Sequence, residues 1–204
     1  MKFLPVFSDD LATLVFFIVF AYLLGSIPFG IIWAKVFNLG SLRDIGSGNI
    51  GATNVLRTGN KLAAFLTLFC DGGKGFVAVL FAELLSEEFT VQAVCLFVFI
   101  GHCFPIWLKF KGGKGVATYV GILFAINIYF GIVFTISWFV TFFISKFSSL
   151  SSLVGAASIP IYLLILSQFN QAIFFAIMFI LIFFTHRENI KRLKNKEETK
   201  TKIY

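Results

Sequence analysis

Long apolar stretches divided by short polar ones run through the chain, at about 11–37, 61–85, 91–109, 115–128, 130–146, 152–168 and 171–186. A helix rising 1.5 Å per residue needs about 20 apolar residues to cross the hydrocarbon of a bilayer. The pattern predicts an all-α integral membrane protein of about seven transmembrane helices, some of them short. The stretch from Val116 to Ile144 admits two readings: one long tilted helix, or two helices broken between Asn127 and Gly131. Charge at the segment ends decides. Lys35, Arg43, Arg57 and Lys61 flank the first loop, Lys109, Lys111 and Lys114 the third. Lys146 follows the fifth segment, and Arg187, Lys191, Arg192, Lys194 and Lys196 follow the last. The opposite ends carry Asp9 and Asp10, Glu87 and Glu88, Asn127, then Gln168 and Asn170. With seven spans every basic cluster falls on one side, which puts the N-terminus outside and the C-terminus in the cytoplasm. The first run is too long for a signal sequence, has Asp9 and Asp10 where a signal carries positive charge, and is followed by no small-residue cleavage site. It reads as a retained helix.

Composition agrees. Of 204 residues, 58% are hydrophobic, 29 are Phe, and only 13% are charged, against about 25% in soluble domains. The formal net charge of +7 does not point to nucleic acid, because the basic residues collect where a membrane protein meets anionic lipid. Cys70, Cys95 and Cys103 have no metal-like spacing and read as small buried hydrophobes. No cofactor or metal is implied, and no protein partner is indicated. The expected organisation is one polytopic domain over 1–190 and a basic, solvated, partly disordered cytoplasmic tail over 191–204.

The polar exceptions gather on the side read as cytoplasmic. The first loop, Arg43 to Arg57, carries Ser47 and Thr53 hydroxyls, Asn49 and Asn54 amides, two guanidiniums and flexible backbone at Gly46, Gly48 and Gly51. Arginine binds phosphate or carboxylate in a bidentate way that lysine cannot. The third loop, Lys109-Phe110-Lys111-Gly112-Gly113-Lys114-Gly115, can turn tightly and aim N–H groups and ammoniums at one anion, most naturally a phosphate. A second cluster, Asp71-Gly72-Gly73-Lys74-Gly75, lies inside an apolar span. An Asp and a Lys there are expensive and by default functional. Lys74 is assigned to substrate binding, and Asp71 to a helix break or internal ion pair. Its echo of Gly112–Gly115 suggests two half-helix ends aimed at one site. His102 reads as a helix-end residue with a satisfied hydrogen bond. His186 and Asn189 end the last span and share a face if helical, as a base or orienter beside an amide donor. No Walker loop, His-x-x-x-x-Asp, Gly-x-Ser-x-Gly elbow or metal-ligand cluster occurs.

Three runs, Gly46 to Asn54, Gly101 to Thr118 and His186-Arg187-Glu188-Asn189-Ile190, in order over about residues 11–192, resemble the bacterial acyl-phosphate:glycerol-3-phosphate acyltransferases. The resemblance implies transfer of an acyl chain from acyl phosphate to the 1-hydroxyl of sn-glycerol 3-phosphate, giving lysophosphatidate and phosphate, in the bacterial inner membrane at the start of phospholipid synthesis. It implies a site built from cytoplasmic loops. Arg43, Ser47, Asn49, Thr53 and Asn54 come from the first motif, with Arg57 beside them. The resemblance associates Lys111, Gly112, Gly113, Lys114 and Gly115 with binding glycerol 3-phosphate. It implies that His186 and Asn189 are needed for activity and that Glu188 holds the helix end, and it makes Arg43, Ser47, Lys111, His186 and Asn189 the expected catalytic residues. Two substrates that each carry a phosphate account for two basic loops. An activated donor needs positioning and charge stabilisation rather than a covalent nucleophile. The competing class is a transporter for a phosphorylated solute or lipid. It would need polar groups at the bilayer midplane and on both faces, whereas the outer loops are short and carry no basic site.

Overall fold

The structure is a computed structural model that describes residues 10–201, all-helical with no strand among them; Asp9 lies outside the described residues. It divides into two compact units, 1–127 and 128–204.

In the first unit, Asp10 caps α1 (Leu11–Gly25) by accepting from the Thr13 N–H at 2.7 Å. The segment 26–28 interrupts the helix where Pro28 cannot donate, and α2 (Phe29–Val36) follows. After the first polar loop come α3 (Ala52–Leu56), α4 (Lys61–Leu85), α5 (Glu88–Cys103) and α6 (Val116–Ile126). Glycines set the two tightest crossings. A Cβ on Gly25 would lie 2.2 Å from the Val98 carbonyl oxygen, and one on Gly101 would lie 2.3 Å from that of Tyr22, so α1 and α5 meet backbone to backbone. A Cβ on Gly121 would lie 1.9 Å from the Gly72 carbonyl oxygen, and one on Gly75 would lie 2.4 Å from that of Thr118. Small residues permit this approach where lipid gives no hydrophobic drive between helices. The Asp71–Gly75 cluster is therefore not a helix break. α4 runs through it unbroken, and two of its glycines seat α6.

The second unit holds α7 (Ile128–Ser145), α8 (Ser148–Ile165), α9 (Phe169–Thr185) and α10 (Arg187–Lys194). Phe130 of α7 meets Phe175 of α9 edge-on at 5.8 Å, and Trp138 donates to the Ser152 hydroxyl at 3.2 Å. Beyond α10 the described chain makes contacts within this unit. The Glu198 carboxylate accepts from Ser149 Oγ, Asn189 Nδ2 and Arg192 Nε, each at 2.7 Å, and the Thr201 N–H donates to the Lys146 carbonyl at 2.9 Å.

Every apolar segment of the sequence is helical, and the break after α6 falls at Asn127, as two helices rather than one require. Length separates the helices. Five stretches, Leu11–Val36, Lys61–Leu85, Glu88–Leu108, Ile128–Ser145 and Ser148–Ile165, are long and apolar enough to cross a membrane. Phe169–Thr185 with Arg187–Lys194, bent by 64°, makes a sixth if the pair is one span. Helix α6, at 11 residues, reaches only about 16 Å, half the hydrocarbon thickness. Outward faces are apolar: Phe65, Leu68 and Phe69 are each more than half exposed, which suits lipid and not water.

Two expectations follow. Gly121→Val drives a branched side chain into the Gly72 carbonyl and lowers the melting temperature in detergent by the equivalent of at least about 1–3 kcal/mol. Gly73→Ala, with nothing within 4 Å of the added Cβ, leaves it unchanged or raises it; equal effects would contradict the α4–α6 contact. For Glu198, burial raises the carboxyl's pKa, but hydrogen bonds from Arg192, Ser149 and Asn189 outweigh it and hold it below the ordinary value. A depressed folded-state pKa stabilises above the unfolded pKa and loses that stabilisation as pH falls through the folded one. The melting-temperature gap between wild type and Glu198→Gln, present at neutral pH, closes in acid below the carboxylate range. A gap that persists there would sink the assignment.

Candidate functional site

The first polar loop is pinned from beneath by apolar residues. Leu42, Ile50 and Val55 are buried with Ala34, Ala63 and Ala64, while Arg43 and Asp44 are exposed and Ser47, Asn49 and Thr53 half-buried. Arg43 lies in a single 3₁₀ turn, Leu42–Asp44. Beyond it, Ser47 is held between Gly46 (φ +55) and Gly48 (φ +67), both left-handed, a conformation that glycine adopts without strain.

Asn54 organises the loop. Its Oδ1 accepts from the Ser47 N–H at 2.9 Å, the Ser47 hydroxyl at 3.3 Å and Arg57 Nη1 at 3.4 Å. Its Nδ2 donates to the carbonyls of Leu42 at 2.9 Å and Asn49 at 2.8 Å. Both amide hydrogens and the oxygen are engaged, and the residue is buried. Asn54, which its motif assigns to substrate binding, here ties the loop together around Ser47. Asn49 Oδ1 accepts from the Ile50 N–H at 2.9 Å, and Thr53 sits in the first turn of α3.

The third loop leaves the short turn Ile106–Leu108 through two left-handed residues, Lys109 (φ 53) and Phe110 (φ 61). It then runs back over the end of α5. The Gly112 N–H donates to the Cys103 carbonyl at 3.0 Å and the Gly113 N–H to that of His102 at 3.1 Å. Lys111 is exposed, Lys114 partly buried. Gly115, left-handed at φ +81, starts α6, where a Cβ would strike the Phe99 ring at 2.1 Å.

Arg43 joins the two loops. Its Nη1 donates to the Gly48 carbonyl at 3.1 Å, and its Nη2 donates to the Lys111 carbonyl, 68 residues away in sequence. Partial burial pulls the guanidinium's pKa below its ordinary value, but arginine stays charged at any working pH. Beside it opens a cleft of about 430 Å³ lined by apolar Ile31, Ala34, Leu42 and Ile50, polar Asn38 and Ser41, and the cationic Lys35 and Arg43. A lining that mixes apolar and cationic groups suits an amphiphile with an anionic head.

Lys74 does not join Lys111. Its Nζ is buried, 2.9 Å from Asp71 Oδ1 and donating to the Ile27 carbonyl at 2.7 Å. Lys74, assigned to substrate binding, and Asp71, assigned to a helix break or internal ion pair, thus face each other inside the first unit. His102, near the end of α5, places Nδ1 3.5 Å from the same Asp71 oxygen.

In the second unit, His186 is buried at the bend between α9 and α10. Its Nδ1 lies 2.8 Å from the Ile182 carbonyl oxygen. Donation to that carbonyl puts the proton on Nδ1 and leaves Nε2 as the acceptor nitrogen. Asn189 is buried, with Nδ2 on Glu198. Glu188 is exposed in the first turn of α10, where a carboxylate favours the helix N-terminus. Glu198 escaped the sequence reading because an acidic pair in a Lys-rich tail looks like any solvated stretch. Among the described residues, no group of three His, Cys, Asp or Glu is placed to hold a metal.

The glycerol-3-phosphate acyltransferase family model matches residues 15–196. A glycerol-3-phosphate acyltransferase of Pelagibacter ubique is 64% identical over 184 residues, covering 90% of this chain and 95% of that protein. One from Cereibacter sphaeroides is 47% identical over 195 residues, covering 96% and 93%. The crystal structure of PlsY, an integral membrane glycerol 3-phosphate acyltransferase, in its glycerol 3-phosphate form superposes with a TM-score of 0.86 at 36% identity, covering 92% of this chain and 95% of PlsY. The lysophosphatidic acid form gives 0.83 at 34%. With nearly the whole length matched in sequence and in fold, this multi-pass membrane protein belongs to the glycerol-3-phosphate acyltransferase family.

Proposed function

We propose that this acyltransferase uses acyl phosphate as donor and acylates the 1-hydroxyl of sn-glycerol 3-phosphate, with 1-acyl-sn-glycerol 3-phosphate and inorganic phosphate as products. The observation that carries the reading is the Arg43 bridge, which fixes a donor-rich loop and a Gly-Lys loop against each other. Two anionic substrates need two such loops at a fixed separation. Lys111, Lys114 and the Gly112–Gly115 backbone hold the phosphate of glycerol 3-phosphate. Ser47, with Asn49, Thr53 and Arg57 around it, meets the reacting acyl phosphate, and the cleft beside Arg43 takes its head and first methylenes. The hydroxyl oxygen attacks the acyl carbon, the bond to the phosphate oxygen breaks, and phosphate leaves with the electron pair. An acyl phosphate is already activated, so donors that offset charge on the carbonyl oxygen and the leaving phosphate supply most of the catalysis. His186 and Asn189 are required for turnover, and the proton of the attacking hydroxyl passes to one of two bases, His186 or the donor's own phosphate. The membrane is the bacterial cytoplasmic membrane, with the N-terminus outside and the basic loops and C-terminus facing the cytoplasm, as the positive-inside pattern supports.

The test is transfer to radiolabelled glycerol 3-phosphate by the purified protein, with palmitoyl phosphate and palmitoyl-coenzyme A in parallel. Lysophosphatidate forms from the acyl phosphate alone, and Ser47→Ala lowers kcat/KM by about a hundredfold or more. Product from the thioester alone would overturn the donor. Arg43→Lys keeps the charge but loses the planar fork that reaches both the Gly48 and Lys111 carbonyls. It costs at least about tenfold in kcat/KM; a fully active Arg43→Lys enzyme would show that the bridge is dispensable.

A further inference from the structure

Three ionisable side chains lie buried in the spans with no part in the chemistry above: Lys74 at 4% exposure, Asp71 at 2% and His102 at 5%. Such groups inside a membrane protein cost more than the apolar residues that could replace them. Their contacts give a reason for the cost. Along one edge, the His102 imidazole faces Asp71, which Lys74 neutralises. Along the other, Nε2 lies where a Cβ on Gly113 would come within 2.2 Å, so the backbone of the Gly-Lys loop rests on the ring. The same residue's carbonyl accepts the Gly113 N–H, and the Cys103 carbonyl accepts that of Gly112. Lys74 carries the chain of contacts on to the Ile27 carbonyl, in the interruption between α1 and α2, with its ammonium 5.7 Å from the Phe29 ring. Helix α2 leads directly into the loop that holds Arg43. A chain of contacts thus runs from Gly113 through the buried His102, Asp71 and Lys74 to Ile27, at the start of the segment that leads through α2 to the first loop.

We propose that His102 is a positioning residue for glycerol 3-phosphate: held by Asp71, which is itself paired with Lys74, it sets the height of the Gly112–Gly113 backbone and so the affinity of that loop for the substrate's phosphate. The inference rests on the reading that Lys111–Gly115 binds that phosphate. It acts on binding and not on the acyl carbon, so it predicts a change in one KM and not the other. His102→Leu keeps bulk and removes the link to Asp71. His102→Asn puts an amide donor near the place of Nδ1.

Steady-state kinetics on the purified protein separate the possibilities. His102→Leu raises the KM for glycerol 3-phosphate by at least about tenfold, the scale of one hydrogen bond to a charged group. Its KM for palmitoyl phosphate and its kcat stay within about twofold, and His102→Asn recovers most of the lost affinity. Gly113→Ala, whose Cβ would meet His102 Nε2, raises the same KM. Equal effects of Leu and Asn, or a parallel loss in both KM values, kcat and melting temperature, would overturn the proposal and leave His102 a packing residue. Lys111→Ala serves as the control on the underlying reading. If it leaves the KM for glycerol 3-phosphate unchanged, the loop is not the phosphate site and both ideas fall. If it raises that KM while His102→Leu does not, only the positioning role falls.

Discussion

Hydrocarbon supplies no water to hydrogen-bond, so polar groups carried into the spans must be answered from within the protein. The interruption at residues 26–28 leaves non-helical backbone at membrane depth, and the Ile27 carbonyl finds the Lys74 ammonium there. An ammonium in that place needs a counter-charge within reach, and Asp71 provides it one helical turn away on α4. The carboxylate in turn faces His102 on α5. A break in the first span, an ion pair in the next and a histidine under the Gly-Lys loop are linked consequences of one requirement. At one end the chain of contacts meets the Gly-Lys loop at Gly113; at the other it reaches Ile27, with α2 between it and the first loop.

Around the path, the helices of the first unit come together by backbone approach. Gly25 with Gly101, and Gly72 and Gly75 with Thr118 and Gly121, let carbonyls meet neighbouring helices with no side chain between. In lipid, where apolar side chains gain nothing by leaving the solvent, dispersion across such close contacts is a main source of helix association. The outward-facing Leu and Phe positions match the surrounding chains. The same packing seats α6, a helix too short to cross alone, directly after the loop that begins it at Gly115.

At the loops the logic changes from burial to presentation. Asn54 satisfies backbone and side-chain groups of its own loop and holds Ser47 between two left-handed glycines. Arg43 uses its planar fork to bind two backbone carbonyls from different loops. Both residues stiffen a site whose proposed task is to hold two anions in a fixed relation. Stiffness of this kind matters more for an activated donor than a strong nucleophile would. In the second unit, Glu198 makes a comparable clamp on Asn189 and Arg192, so the chain beyond α10 is folded against the motif that ends α9.

Much of this was legible in the residues taken alone. Apolar runs and the charges at their ends located the long apolar helices and the break at Asn127, because hydrophobicity and charge act over one helix length and need no partner. The interruption at 26–28, the short α3 in the polar loop and the polar α10 were not legible that way. The donor density at Arg43–Arg57 and Lys109–Gly115 marked both loops for the same reason. What the sequence could not decide is what each polar group would meet. The two Gly-Gly-Lys-Gly runs are identical in letters, yet one lies within a straight helix and seats α6 while the other is open loop over His102. Asn54 and Lys74 carry donors that look available until their partners, Leu42, Asn49, Asp71 and Ile27, fold around them. The Arg43–Lys111 bridge spans 68 residues, and Glu198 reaches 49 residues back to Ser149. Local pattern determines where a segment lies relative to lipid; only the packed backbone, by the distances it allows, determines which donors remain to meet a substrate.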